Sequence, residues 1–193
     1  MELAARMFDI EAVSLDRETR FAAFVNAHQE RAVRVAWRLL AGDSAAAEDV
    51  AQEAFLKAHR GLSQFRDDAA MSTWFYRILV NEARSYRRWR AVRRRWAAVW
   101  SSGETEVGVT TPLPDPSLQR RIAAALETLS PGQREVFVLV YLEGFTLEQT
   151  ATQLGKAIGT VKAHLHRALH TLRAELGDLH DMPGNANKKV ARS

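Results

Sequence analysis

Residues 146–176 read TLEQTATQLGKAIGTVKAHLHRALHTLRAEL, and this stretch decides the fold of the C-terminal half. Thr146 and Gln149 have the spacing of a capping box, which predicts the start of a short helix. Gly155 then favours a left-handed turn, and a longer helix follows from about Ile158. A short helix, a glycine turn and a longer helix form a helix-turn-helix, whose second helix enters the major groove of DNA in many proteins.

The longer helix of this pair has two chemically different faces when its residues are placed at the helical period. One face is apolar and consists of Val161, Leu165, Ala168, Leu169, Leu172 and Leu176. The opposite face is mostly polar or basic and consists of Thr160, Ala163, His166, Arg167 and His170. Lys162 flanks the apolar stripe. The pattern predicts a helix that packs on its domain and turns a basic surface towards duplex DNA.

His166 and His170 lie one helical turn apart, a spacing that also suits zinc. Zinc sites in proteins need at least three protein ligands, and no third ligand shares this face, so no metal site is predicted. The chain contains no P-loop, no GxGxxG motif and no arrangement of a nucleophile beside a base. We therefore expect no enzymatic activity and no cofactor.

A linker precedes this half of the chain. Residues 101–116 read SSGETEVGVTTPLPDP, with three prolines and two glycines, a composition typical of flexible connectors. After it, residues 117–129 carry apolar side chains at helical spacing, and Ser130 with Gln133 forms another capping box. The expected division is a lead-in at 1–16, a domain at 17–100, the linker at 101–116, a domain at 117–177 and a tail at 178–193.

The N-terminal domain is also predicted to be helical. Apolar residues recur at helical spacing over 17–40 and 45–61, and no strand-like alternation of any length is present. The second of these helices exposes an acidic and amide face at Asp49, Gln52 and Glu53. The fold class is therefore all-α, with two small helical domains joined by a flexible linker.

The third segment of this domain reads WFYRILVNEARSYRRWRAVRRR at Trp74–Arg95. Residues 84–95 include seven arginines and no acid, with Tyr86 and Trp89 between them. Guanidinium groups pair with phosphates, and aromatic rings accept unstacked bases, so this pattern indicates contact with an opened strand. A solvated basic face is the simpler interpretation of such a helix taken alone. Trp74, Phe75 and Ile78 are expected to belong to the core.

The composition limits where the chain acts. It has no cysteine, which excludes disulfides and thiolate metal sites and fits a reducing cytosol. No run of about 18 apolar residues is present, and the N-terminus lacks the apolar core of a signal peptide. We therefore expect a cytoplasmic protein that does not insert into a membrane.

Several motifs resemble one known family. The segments are DVAQEAF at 49–55, WFYRILVN at 74–81 with Arg87-Arg88, LSPGQREVF at 129–137, LEG at 142–144, GTVK at 159–162 and HRA at 166–168. In this order, and on both sides of a linker, they resemble regions two and four of the group IV sigma factors of bacterial RNA polymerase. This group is also called the extracytoplasmic-function (ECF) type of the sigma-70 superfamily.

The resemblance implies that the two domains are sigma regions two and four and that each has its own binding surface. Region two would dock on the β′ clamp helices of the polymerase through Asp49, Gln52 and Glu53. Region two would meet the −10 element through Asn81, Arg84, Arg87 and Arg88, with Phe65 and Arg66 in the connector that sets which base is captured. Region four would face the −35 element through Thr160, Lys162, Ala163, His166 and Arg167.

Three positions depart from the family pattern. Lys156-Ala157 replaces the usual Ile-Ser at the entry to the recognition helix, which removes a hydroxyl N-cap. Ala163 replaces a frequent serine, so it can contact a thymine methyl group but cannot donate a hydrogen bond. Ser85 stands where an acidic or amide residue is common.

The partners implied by the resemblance are core RNA polymerase (the β′ clamp helices and the β flap), promoter DNA and an anti-sigma factor, which in this family can be membrane-bound. The free chain is expected to be monomeric. One alternative is a stand-alone helix-turn-helix regulator, which would bind repeated half-sites as a dimer, but no dimerising heptad is visible. Another is a sigma-like decoy for an anti-sigma factor, which would need neither the acidic and amide face nor the arginines.

Overall fold

The computed structural model describes residues 2–65, 70–100 and 116–176, with side chains described for 16–65, 70–96 and 120–175. Every regular element in these ranges is helical, as the sequence predicts. The α-helices are α1 (Glu2–Leu39), α2 (Ser44–Arg60), α3 (Met71–Trp100), α4 (Pro116–Thr128), α5 (Pro131–Phe137), α6 (Leu147–Leu154) and α7 (Ile158–Leu176). A 3₁₀ turn at Leu62–Gln64 follows α2, and a π turn at Val138–Leu142 continues α5. The linker at 101–115 and the tail from residue 177 lie outside the described residues.

Helix α1 begins at Glu2, so the predicted loose lead-in at 1–16 is replaced by helix. The physical reason is local, because the first residues (ELAARM) are nearly all strong helix formers. Helix α3 begins at Met71, one residue before Ser72, whose residue type favours N-cap positions. The difference is within the usual variation of helix ends.

Helices α2, α5 and α6 carry caps of the residue types that favour those positions. The carboxylate of Asp43 accepts a hydrogen bond of 3.1 Å from the backbone N–H of Ala46 and caps α2. Both predicted capping boxes are formed, the first at the start of α5 and the second at the start of α6. Gly155 ends α6 with a φ of +62°, a left-handed conformation that costs glycine little.

The core of the N-terminal half is built on stacked aromatic rings from α1, α2 and α3. Phe75 is fully buried, with its ring centroid 4.3 Å from that of Phe55 and 5.4 Å from that of Phe24. Trp74 and Ile78 pack against the same cluster and are partly buried. The prediction that this part of α3 is core rather than nucleic-acid contact is therefore confirmed for Phe75.

The C-terminal half holds a smaller apolar cluster between α4 and α7. Its buried members are Ala125, Leu126, Leu129, Ala168 and Leu172. Val136, Phe137, Val140 and Tyr141 have the spacing of one apolar stripe on a helix, but the side chain of Tyr141 is exposed and its ring stacks on Phe137 at 5.5 Å. The π turn explains the difference: the backbone N–H of Glu143 bonds to the carbonyl of Val138, five residues back, which changes the phase of the helix.

The two halves pack against each other, and we call this packing the closed arrangement. Buried residues of α5 to α7 join the same core cluster as α1 to α3, including Val136, Leu139 and Leu154. Gly42 marks one close approach, because a Cβ added there would lie 2.5 Å from the Cβ of Ala123. Its φ of +94° is also a conformation that favours glycine. The sequence predicts two domains and a linker, but it does not predict this contact.

Candidate nucleic-acid interface

The helix-turn-helix presents the predicted face of α7 to solvent. Val161 and Ala168, on the apolar face of α7, are fully buried. The side chains predicted to face duplex DNA are exposed: Thr160, Lys162, Ala163, His166 and Arg167. Arg167 also donates a hydrogen bond of 3.1 Å to the backbone carbonyl of Ala163, which holds its guanidinium along the helix. This face is accessible in the closed arrangement.

Two of the arginines predicted to meet the −10 element are instead bound to a carboxylate of the other half. Arg84 donates two hydrogen bonds to Glu135, from Nε at 3.1 Å and from Nη2 at 2.7 Å. Arg87 forms an ion pair with the same carboxylate and donates a hydrogen bond of 3.1 Å to the carbonyl of Leu39. The Glu135 side chain is only 4% exposed. The carboxylate therefore occupies the guanidinium groups that the sequence predicts to bind DNA.

Burial alone would raise the pKa of Glu135, but the hydrogen bonds and charges of Arg84 and Arg87 outweigh it and lower the pKa. The neighbouring Arg134 is buried too, and its guanidinium is satisfied by backbone carbonyls, including Leu126 at 2.8 Å and Leu129 at 3.2 Å. It also donates to the carbonyl of Leu39 across the closed arrangement, at 3.3 Å. Buried charged side chains are therefore concentrated where α5 meets α1 and α3.

A second buried carboxylate joins the two halves at the end of the π turn. The side chain of Glu143 is 1% exposed and accepts hydrogen bonds from Arg31 at 2.7 Å and Arg38 at 3.1 Å, both on α1. The guanidinium of Arg31 lies over the ring of Tyr76 on α3. The pKa of this tyrosine is raised to about 12, chiefly by burial and secondly by the charge of Glu143. Gln153 of α6 adds a hydrogen bond of 2.7 Å to the carbonyl of Thr73.

The remaining residues predicted for the −10 element differ in accessibility. Asn81 and Arg88 are exposed, and Arg88 donates to the hydroxyl of Ser85 at 2.9 Å. Phe65 is buried, and its ring lies 5.0 Å from that of Trp74. A large aromatic side chain after a short turn is better buried against the domain than left in water, so Phe65 is not available to DNA in the closed arrangement. Its contact with the −10 element stays a prediction. Arg66 lies outside the described residues.

The predicted polymerase face lies on α2. Asp49 and Gln52 are exposed, and the carboxylate of Glu53 lies 3.8 Å from both Lys57 and Arg60. An apolar groove of about 430 Å³ runs beside this face between α1 and α2. Its apolar lining consists of Phe21, Val25, Val33, Ala51, Phe55 and Leu56. Leu56 is 45% exposed at the edge of this groove.

Sequence reasoning missed Glu135 and Glu143 as functional residues. The one feature of the sequence that points to them is that each glutamate lies within or beside an apolar stretch, in α5 or next to the π turn. Nothing in the sequence identifies the arginines that pair with these glutamates. Among the residues described, no group of three or more His, Asp or Glu side chains is close enough to hold a metal ion. In the same part of the chain, no helix has the length and apolar character needed to cross a membrane.

Comparison with known proteins places both halves in one family. Residues 24–95 match the model of sigma-70 region 2, and residues 119–172 match that of sigma-70 region 4. The chain is similar to the ECF RNA polymerase sigma factor SigM of Mycobacterium tuberculosis, with 36% identity over 79% of this chain and 74% of that protein. It is also similar to the RNA polymerase sigma-E factor of Streptomyces avermitilis, with 30% identity over 89% and 93% of the two chains.

The fold agrees with two solved structures, one of which is a sigma factor. RpoE, in a complex with the anti-sigma factor NepR from Bartonella quintana, aligns with a TM-score of 0.69 at 28% identity and covers 81% of this chain and 96% of that chain. CnrH, in a complex with the cytosolic domain of CnrY, aligns with a TM-score of 0.60 at 28% identity and covers 82% and 88%. The chain therefore belongs to the ECF RNA polymerase sigma factors, non-enzymatic polymerase subunits that direct the initiation of transcription.

Proposed function

We propose that this sigma factor recognises a two-part promoter, with α7 in the major groove of the −35 element and α3 at the opened −10 element. The exposed face of α7 in a complete helix-turn-helix is the observation that carries this proposal. Opening a few base pairs costs about 1.4 kcal/mol per step, which captured bases and phosphate contacts would offset. Salt should weaken binding strongly, because phosphate contacts release counterions.

Arg167→Ala should cost about 1–3 kcal/mol in promoter binding and relax the preference at one −35 base pair, because an arginine on the exposed face of α7 reads a base edge. The measurement is competition binding of holoenzyme to duplexes that vary at each −35 position. Arg173→Ala is the matched control, since Arg173 is exposed on the last turn of the same helix, outside the predicted face. Equal weakening on all sequences would mean that Arg167 touches only phosphate.

We propose that core polymerase docks on region 2 through Asp49, Gln52 and Glu53 and through the adjoining groove, with the β′ clamp helices as the partner, while the β flap contacts region 4. Two exposed polar side chains beside an apolar groove suit a partner helix that is apolar on one face and basic at its edge. The chain would act in the cytoplasm, where polymerase and promoter DNA are present, and would be monomeric when free.

Asp49→Lys should weaken the affinity for core polymerase about 10-fold or more and leave the unfolding temperature unchanged, because the side chain is exposed and a like charge at a docking edge is repulsive. Titration of labelled factor with core enzyme measures the affinity. Glu30→Lys carries the same change of charge at a side chain that is 84% exposed on α1, and it should have little effect. Equal weakening by both substitutions would mean that only net charge matters.

The closed arrangement supports an order of events. The α7 face and the α2 face are exposed in it, whereas Arg84 and Arg87 are held by Glu135. A factor in this arrangement has its −35 and polymerase surfaces free but cannot offer these two arginines to DNA. We propose that docking on polymerase separates the two halves, which then releases the arginines for the −10 element.

An anti-sigma factor is the second proposed partner. RpoE, a structural relative described above, was solved in a complex with the anti-sigma factor NepR, and CnrH was solved in a complex with the cytosolic domain of CnrY. The groove between α1 and α2 is an apolar surface that an inhibitor could cover together with the polymerase face. A factor inhibited there would be unable to dock.

The two alternative functions predict different results. A stand-alone regulator would bind a specific duplex without polymerase, whereas a decoy would bind an anti-sigma factor and never initiate transcription. The accessible Asp49 and Gln52 favour docking on polymerase over a stand-alone regulator, since such a regulator does not require that face. Transcription with purified core polymerase separates all three.

A further inference from the structure

The exposed face of α7 carries a row of basic and titratable side chains. Lys162, His166 and His170 are spaced four residues apart, so they follow one line along the helix. All three side chains are exposed, and Arg167 is exposed beside them. Within the part of the chain that the structure describes, no carboxylate forms an ion pair with either histidine. We call Lys162, His166 and His170 the α7 row.

The acidic groups of the helices that pack on α7 act on other residues. Glu148 of α6 interacts with Lys162, and Glu135 of α5 interacts with His164. Helix α4 packs on the opposite, apolar side of α7. The two histidines of the row therefore face solvent, and the charges that share their face are those of Lys162 and Arg167.

His164, the third histidine of α7, is held differently. It is half-buried against the start of α5, where a Cβ added at Gly132 would lie 3.2 Å from the Cε1 atom of the ring. Burial, followed by the charges of Lys156 and Arg167, lowers the pKa of this histidine. Its environment therefore opposes a positive charge, whereas the exposed histidines of the α7 row are open to an anionic partner.

The α7 row is long enough to reach from the base edges to the phosphate backbone of a duplex. At 1.5 Å per residue, His166 and His170 lie about 9 and 15 Å along the helix axis from Thr160. The major groove is about 12 Å wide, and the first residues of a recognition helix contact its base edges. When the start of α7 lies in the groove, the two histidines are therefore at the level of the phosphates.

Protonation changes what an imidazole offers to a phosphate. Histidine changes its charge between about pH 5 and pH 8, and the protonated ring carries a positive charge and an N–H donor on each nitrogen. A nearby phosphate favours this charged form. Because the protonated ring binds phosphate more strongly than the neutral ring, a histidine at the backbone takes up protons on binding, and the affinity rises as the pH falls.

We propose that His166 and His170 bind phosphates of duplex DNA and that their protonation makes the affinity of region 4 for DNA depend on pH. The affinity is high at about pH 6, where an imidazole beside a phosphate is charged, and falls as the pH rises towards 8. The inference rests on the proposed placement of α7 in the major groove. It adds a role for His170, and it makes the charge of the DNA-facing surface variable instead of fixed.

The test is fluorescence anisotropy of a labelled random-sequence duplex titrated with the full chain at about pH 6 and about pH 8. Phosphate contacts carry no sequence information, so no promoter is needed. The wild-type chain should bind roughly 5-fold more tightly at the lower pH, as expected for two exposed charge pairs. The slope of log affinity against log salt should also be steeper there by roughly 1 to 2, because each phosphate contact adds about 0.9.

Three variants isolate the two histidines. His166→Gln/His170→Gln should bind with the weaker, high-pH affinity at both pH values, because glutamine stays neutral. His166→Arg/His170→Arg should bind tightly at both, because arginine stays charged. His59→Gln is the matched control, since it removes an exposed histidine of α2 in the other half of the chain, and it should keep the wild-type pH dependence.

A pH dependence that persists in the glutamine double variant would overturn the inference, and so would a wild-type affinity that does not change with pH. Arg167→Ala distinguishes this failure from a failure of the proposed placement of α7, because it removes a permanent charge and should weaken binding equally at both pH values. Weakening by Arg167→Ala without any effect of the glutamine pair would overturn this inference alone. No effect of either change would contradict the placement of α7 on DNA and this inference with it.

Discussion

Glu135→Lys should convert the free factor from the closed arrangement to a separated one. The carboxylate is 4% exposed and holds Arg84 and Arg87, so a lysine there would place three positive charges together in a buried site. Breaking a buried ion pair typically costs about 3–5 kcal/mol, which corresponds to a shift of about 100-fold or more in the equilibrium between closed and separated forms. The separated form should also bind a −10 single strand more tightly, because both arginines are released.

Energy transfer between two labels measures the separation directly. The chain has no cysteine, so cysteines introduced at Ser63 and Thr152, one exposed position in each half, can be labelled without background. Transfer should fall in Glu135→Lys and stay high in Glu127→Lys, which makes the same change at an exposed site on α4. Adding Arg84→Ala to Glu135→Lys should restore part of the transfer, since it removes one of the repelling charges. Unchanged energy transfer in Glu135→Lys would mean that the ion pairs of Glu135 with Arg84 and Arg87 do not hold the two halves together.

The ion pairs of Glu135 with Arg84 and Arg87 also determine how the closed arrangement depends on pH. Arg84 and Arg87 lower the pKa of Glu135 in the closed arrangement, whereas a glutamate exposed by separation has its ordinary pKa of about 4.3. The stabilisation is therefore fully present above that ordinary value and is lost only as the pH falls through the lowered pKa. We expect energy transfer to be constant from about pH 8 to about pH 5. A loss of closure near neutral pH would point to another titrating group.

Phe75→Ala should destabilise the fold by about 3–5 kcal/mol, the typical cost of truncating a fully buried phenylalanine. Its ring stacks on Phe55 at 4.3 Å and meets Phe24 at 5.4 Å, so its removal leaves a cavity where α1, α2 and α3 meet. Urea denaturation followed by circular dichroism measures the loss. Phe75→Leu should cost less because it fills more of the space. A loss below about 1 kcal/mol for alanine would mean that this aromatic cluster does not organise the domain.

The elements that could be predicted from sequence are those with local causes. The two capping boxes, the left-handed Gly155 and the two faces of α7 depend on residues a few positions apart, and the structure agrees with the sequence at each. The helical start at Glu2 also has a local cause, the high helix propensity of the first residues, although the mixed composition of residues 1–16 alone indicates irregular chain.

The closed arrangement could not be predicted, because it depends on pairs far apart in sequence. Arg84 and Glu135 are 51 residues apart, and Arg38 and Glu143 are 105 apart. A run of arginines has the same sequence pattern whether its partner is a phosphate or a buried carboxylate. Phe65 shows the same limit: an aromatic residue in a connector can stack on a base or on Trp74, and only the packed structure decides between them.

Initiation on a template library tests the central claim most directly. The library would carry a random sequence upstream of a fixed reporter, and it would be transcribed by purified core polymerase of the same bacterium with and without this factor. The account expects factor-dependent transcripts whose templates share two sequence blocks at a fixed spacing, one at −35 and one at −10. Transcripts that are absent, or identical with and without the factor, would contradict it.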